Sequence, residues 1–214
     1  MADNKQPILT ALTAEHFAMQ GALANAVNEG NSRSSMYLAV LSGALVAMGF
    51  ATQADQVFLP FIATVLPAVF LMGVLTVLRL IDVSVESSMA EIAIARIRRH
   101  YRELGGEAEE VFAARMGRWP ESAPNPALRF GSFLGYWTSA AAMIAAINAV
   151  VAASALTLIL HLWLSVNLVV AIAAGAALAL ALLFGFFQIQ KLRISETDRF
   201  AREDAGIEPT YSGT

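Results

Sequence analysis

From Phe130 to Gln190 the chain carries no Asp, Glu, Lys or Arg, and between Ser34 and Leu78 the only formal charge is Asp55. Stretches this long and this poor in charge leave few folds open. A backbone enclosed by apolar side chains must satisfy its own N–H and C=O groups, and in lipid only helices and closed barrels do so. Each stretch divides into two apolar runs with a short polar break. The first run is about Ser35 to Thr52, and the turn Ala51–Gln56 follows it. The second is Val57 to Leu78, the third about Trp137 to Leu160, and the fourth Leu168 to Phe187. Crossing the hydrocarbon takes roughly 20 apolar residues as helix. The last three runs meet that length, and the first meets it with Ser34 and Ser35. The expected fold is therefore all-α: a four-span transmembrane bundle of two hairpins, with cytoplasmic helical extensions.

Composition agrees. Of 214 residues 57% are hydrophobic and 14% charged, against about half and about a quarter in soluble domains. A net charge of −3 argues against a nucleic-acid partner. The absence of cysteine removes disulfides, thiolate metal sites and Cys nucleophiles. The polar start Met-Ala-Asp-Asn-Lys, with no apolar run before residue 35, does not read as a signal peptide.

Lysine and arginine orient the spans. All 14 fall before the first run (Lys5, Arg33), between the second and third (Arg79, Arg96, Arg98, Arg99, Arg102, Arg115, Arg118, Arg129) or after the fourth (Lys191, Arg193, Arg199, Arg202). The two hairpin turns have none. The positive-inside rule places both termini and the middle segment in the cytoplasm of a bacterial inner membrane. Phe130, Phe133, Tyr136 and Trp137, and Phe184, Phe186 and Phe187 near Lys191, suit the aromatic belt on that side, and Trp163 suits the outer one. The expected segments are a cytoplasmic N-terminal helix (1–33), a first hairpin (34–82), a cytoplasmic helix and linker (83–129), a second hairpin (130–188) and a cytoplasmic tail (189–214).

The N-terminal helix is expected over residues 8–28, with Gly30-Asn31 ending it and Leu12, His16, Met19, Leu23 and Val27 on one face. The segment ESSMAEIAIARIRRHYREL from Glu86 carries a clearer stripe: Met89, Ala93, Ile97, Tyr101 and Leu104, widened by Ala90 and Ile94. Gly105-Gly106 is expected to end it. With no proline between it and the second run, the two can form one rod of about 70 Å. An apolar stripe on a projecting rod needs cover, from the N-terminal helix, a second copy or a soluble protein. It is the candidate oligomer stripe, and a homo-oligomer in the lipid bilayer is expected. A short helix from Glu107 to Met116 precedes a linker with Pro120, Pro124 and Pro126, and the polar tail after Arg202 is expected to be disordered.

Chemistry is sparse. His16, His100 and His161 are too dispersed for a shared metal site, and no phosphate loop, serine elbow or HExxH occurs. No catalytic residue, metal or cofactor is expected. The spans lack the central ionisable groups of ion-coupled transporters. Asn148, Ser154, Thr157 and Ser42 are candidates for pore lining or interhelical hydrogen bonds, and Thr64 and Thr76 carry the same ambiguity. Arg79 and Asp82, three apart at the cytoplasmic end of the second run, are candidates for a gate or headgroup contact. Arg96, Arg98, Arg99 and Arg102 form a basic cluster that suits topology or an anionic ligand. Small residues recur every four positions in Ala39, Gly43, Ala47 and in Ala171, Gly175, Ala179, which permits close helix approach. Pro60, Pro67 and Gly73 predict a bend in the second run.

The segment Asn28-Glu29-Gly30-Asn31-Ser32-Arg33-Ser34-Ser35-Met36-Tyr37-Leu38, leading into an apolar helix, resembles a group of uncharacterised bacterial multi-pass membrane proteins. Over residues 10–104 it is also similar to two-helix membrane effectors of nucleotide-signalled anti-phage systems. Those pair a cytoplasmic helix with a membrane hairpin and a following cytoplasmic helix. The second hairpin departs from that pattern, and no site residue carries over. The expected function is a non-enzymatic oligomeric membrane protein, an ion channel or membrane-perturbing effector. The alternative is a scaffold or accessory subunit with a protein partner on its cytoplasmic helix.

Overall fold

The computed structural model describes residues 5–111 and 137–204, and among them every regular element is a helix. In chain order these are α1 (Lys5–Ala51), α2 (Asp55–Glu103), α3 (Glu107–Val111), α4 (Ala140–Leu158), a π-helical turn (Ile159–Trp163) and α5 (Leu168–Asp204). Four helices are long and apolar enough to cross a membrane: Gln6–Ala51, Gln56–Glu103, Ala140–Trp163 and Leu168–Ser195. Phe130, Phe133, Tyr136, Arg115, Arg118, Arg129, the proline-rich linker and the end of the tail lie outside the described residues.

The helix ends follow local chemistry. After α1, the Thr52 amide still reaches Met48 O at 3.1 Å and the Thr52 hydroxyl donates to Gly49 O at 2.7 Å. The chain then turns and re-enters helix, with Val57 N donating to Ala54 O at 2.9 Å. At the end of α2, Gly105 and Gly106 take φ of +75° and +66°, a conformation that costs a side-chain-bearing residue energy and costs glycine little. Ser139 caps α4, its hydroxyl oxygen accepting from the Ala142 amide at 3.1 Å. Asn167 does the same for α5, accepting from Val169 N at 2.9 Å. Between α4 and α5, Ser165 holds a φ of 55° while Val166 N donates to Leu160 O at 3.0 Å.

One expected boundary is not present. Gly30-Asn31 does not end the first helix, because α1 continues to Ala51. A glycine inside a helix costs about 1 kcal/mol relative to alanine, which burial on either side of it outweighs. Gly30 is itself buried, and Ser34 donates to its carbonyl at 2.9 Å. Pro60 and Pro67, where a bend is expected, sit inside α2. Thr64 donates into the first proline's turn, to Pro60 O at 3.0 Å and Phe61 O at 3.1 Å, the kind of side-chain contact that helps apolar helices tolerate proline.

The chain forms two compact units. One comprises Gly30–Ile81 and Phe133–Lys191. Its core gathers Tyr37 from α1, Ile62, Leu66, Val69, Val77 and Leu80 from α2, Ile144 and Ala145 from α4, and Phe186 from α5. Along α2 the positions Ile62, Leu66, Val69, Gly73, Thr76 and Leu80 are all buried. Their spacing of four and three residues is that of helices packed at a shallow angle, side chains interleaved.

The other unit comprises Met1–Glu29, Asp82–Ser132 and Leu192–Thr214. Here α2 buries Val83, Ala90, Ile94 and Ile97 and half-buries Ser87 and Tyr101, again in threes and fours. The candidate oligomer stripe is divided by this packing: Ile97 and the widening residues Ala90 and Ile94 are buried within the chain, Ala93 and Tyr101 are half-buried, and Met89 and Leu104, 44% and 43% exposed, stay open to a partner. The expected stripe steps by four residues and drifts around the helix, whereas the buried face averages 3.5 residues per turn. On α1 the same spacing half-buries Leu12, His16, Met19 and Leu23 and buries Ala26, leaving Val27 exposed. Thr13 and Tyr101 join α1 to α2 through their hydroxyls at 3.0 Å.

Candidate functional site

The polar side chains of the apolar helices divide into those turned inward and those returned to their own backbone. Asn148 is turned inward. It is 5% exposed, and its side-chain carbonyl accepts a hydrogen bond from the Tyr37 hydroxyl at 3.3 Å. Tyr37 is fully buried. On α2, Gly73 faces the same carboxamide closely enough that a Cβ there would overlap it. Three helices thus meet at one polar node: α1 through Tyr37, α2 through Gly73, and α4 through Asn148. A cavity of about 240 Å³ lies beside it, walled by apolar groups including Phe70, Val77, Leu182 and Phe186, with Asn148 at its edge.

A second node joins α4 to α5. Thr157 donates to the Ala171 carbonyl at 3.3 Å. A Cβ at Gly175 would overlap the Thr157 hydroxyl and would stand 2.7 Å from the Ala153 carbonyl oxygen. A third lies at the other end of the same helix pair, where the Gln190 amide nitrogen donates to the Ser139 hydroxyl at 3.2 Å. Gln190 is 3% exposed, and its carbonyl oxygen has no partner among the described residues.

The remaining candidates do not join these nodes. Ser42 is exposed and donates to Leu38 O at 2.8 Å on its own helix. Ser154 is exposed. Thr64 and Thr76 bond back to Pro60 O and Met72 O, as hydroxyls in apolar helices commonly do. Arg79 and Asp82 lie three residues apart on α2, both half-buried, and Arg79 has an interaction partner. No cluster of three or more metal-ligating side chains occurs among the described residues. His161, through Nδ1, stands 3.0 Å from the Val166 carbonyl and closes the turn between α4 and α5. In the second unit, burial raises the Glu91 carboxyl above its ordinary value by desolvation.

Tyr37 and Gly73 are the residues sequence reasoning missed at the first node. A hydroxyl-bearing aromatic in the first apolar run, facing a span that carries a lone asparagine, was the signal available for Tyr37. Nothing local distinguishes Gly73 from the other glycines of the spans. Compared with protein-family models, curated proteins and solved structures, the chain shows no match.

Proposed function

We propose that the chain is a non-enzymatic, oligomeric integral membrane protein of a bacterial inner membrane, working as an ion channel or membrane-perturbing effector. In this reading the unit Gly30–Ile81 with Phe133–Lys191 is the bilayer-embedded part, crossing as two hairpins. Both termini and the segment between the second and third spans face the cytoplasm, where the arginines are concentrated.

One contrast between two helix faces carries the oligomeric part. The Ala171–Gly175–Ala179 face of α5 is used within the chain, with Ala171 and Gly175 buried against α4. The Ala39–Gly43–Ala47 face of α1 is not: Ala39 and Gly43 are exposed, and a Cβ at Gly43 would meet nothing within 4 Å. A face that permits close approach and at Ala39 and Gly43 meets no partner among the described residues suits a second copy. The absence of charge from the spans suits passive conduction or membrane perturbation over ion-coupled transport.

Size measurement in mild detergent and ion flux from proteoliposomes test the reading together. A stable oligomer with flux is expected; a monomer, or electrical silence, removes the channel. A reporter fused after Thr214 tests orientation, and a periplasmic signal overturns it. A scaffold or accessory subunit is the second reading, favoured by the exposed Phe17 and Val27 of the other unit. Such apolar side chains suit a protein partner, and silent proteoliposomes with a stable heteromeric partner would establish it.

A further inference from the structure

The unit built from Met1–Glu29, Asp82–Ser132 and Leu192–Thr214 contains a cavity of about 560 Å³ between α1 and α2. That is roughly the volume of twenty waters at ~30 Å³ each and falls within the range of small-molecule sites. Its walls are of two kinds. Leu23, Ala24, Val27 and Ile94 supply an apolar side; His16, Gln20, Asn28 and Arg98 supply the polar groups.

Two of those polar groups are unusual. Arg98 is half-buried, and among the described residues it has no hydrogen-bond or ion-pair partner. Its neighbours in the basic cluster differ, since Arg96, Arg99 and Arg102 are all engaged. His16 lies on the facing helix. Its Nε2 stands 3.0 Å from the Gln20 amide nitrogen, while its Nδ1 is buried with no partner among the described residues. The imidazole nitrogen, withdrawn from water without a partner among the described residues, loses solvation and recovers nothing from the protein, and the guanidinium, which keeps access to water, has no acceptor among those residues. An anion in the cavity supplies what both lack, because a guanidinium matches the paired oxygens of a phosphate or carboxylate.

We infer that this cavity binds a small organic anion, its phosphate or carboxylate held by Arg98 and His16 and its apolar body against Leu23 and Ile94. The anionic group can belong to a soluble molecule or to an acidic lipid, and the chemistry at Arg98 is the same for both. The inference is independent of whether the spans conduct.

The test uses the full chain in nanodiscs of phosphatidylcholine, titrated calorimetrically with phenyl phosphate, inorganic phosphate and phenol. Phenyl phosphate is expected to bind more tightly than either fragment probe, because only it fills both sides of the cavity. R98Q is expected to weaken it by about tenfold or more, and H16F to weaken it measurably. R96Q removes the same charge from an exposed, already engaged arginine and is expected to leave binding within about twofold. Helical circular dichroism and elution volume establish that each variant is folded. If R98Q misfolds, R98K serves instead, because it keeps the charge and loses the fork. In nanodiscs with phosphatidylglycerol, loss of phenyl phosphate binding with Arg98-dependent retention of the acidic lipid assigns the anion to a headgroup. Unchanged binding assigns it to a soluble molecule. Equal loss in R96Q and R98Q, or no Arg98-dependent binding of phenyl phosphate or acidic lipid, overturns the inference.

Discussion

Asn148 occupies space that only a glycine at position 73 leaves free. The pairing makes Gly73 a packing requirement of a side chain on another helix. G73A forces the carboxamide or the helices to shift, an overpacking that costs about 1–3 kcal/mol. Unfolding in detergent micelles measures it. In the double variant G73A/N148A the clash is absent, so the two effects should fall well short of adding. Strict additivity would show that the two side chains do not compete for this space.

Removing the Tyr37–Asn148 hydrogen bond should be graded by what is left behind. Y37F leaves a carboxamide with other bonding options and should cost about 0.6 kcal/mol, the average for interhelical bonds in membranes. N148A leaves a buried phenol hydroxyl unpaired and should cost about 1–3 kcal/mol. Reversal of that order would contradict the geometry. In a conducting protein, N148A should leave the reversal potential unchanged, since the carboxamide serves a helix junction. A shifted potential would put Asn148 in the conduction path.

Gly175 and Gly43 should separate cleanly. A methyl at Gly175 meets Thr157 and the Ala153 carbonyl. That carbonyl is backbone and cannot rotate away, so G175A should lower the thermal midpoint in detergent more than G73A. G43A should leave the midpoint unchanged. G43L should leave the fold intact and reduce the oligomer to smaller species in light scattering. An unaltered assembly in G43L would remove that face from the interface.

Glu91 makes stability pH-dependent in a direction fixed by its burial. Desolvation raises its carboxyl from the ordinary 4.5, so within that window the folded chain holds a proton the unfolded chain has released. Folding then takes up protons, and the contribution falls as pH rises from 4.5 through the raised value. E91Q should therefore raise the thermal midpoint at pH 8 and leave it nearly unchanged at pH 4. An equal gain at both values would mean the effect is not titration.

The helices were legible in the sequence for a reason that needs no neighbour. The runs after Val57 and Leu168 are long, uncharged and bounded by polar turns, and α2 and α5 contain them whole. Gly105-Gly106 marked its boundary because positive φ is a local property. Gly30 misled because its local cost is small, and only the burial around Ala26, Gly30 and Ser34 decides that the helix goes on. The polar node was half legible. Asn148 stands out as the one strongly polar residue near the middle of its run, while its partners Tyr37 and Gly73 lie on other helices, more than 70 residues away in the chain.

The sequence by itself determined that four helices are long and apolar enough to span a bilayer and roughly where each turns, because apolar length and internal hydrogen bonding are properties of a segment. Tertiary structure alone decided which face each helix buries. Around α2, Met89, Ala90, Ala93, Ile94 and Ile97 are all apolar, so hydrophobicity does not choose among them. Interleaving with neighbouring helices at 3.5 residues per turn chooses Ala90, Ile94 and Ile97 and leaves Met89 outside. The same packing turns Asn148 toward Tyr37 and sets Arg98, without a partner among the described residues, at the edge of a cavity.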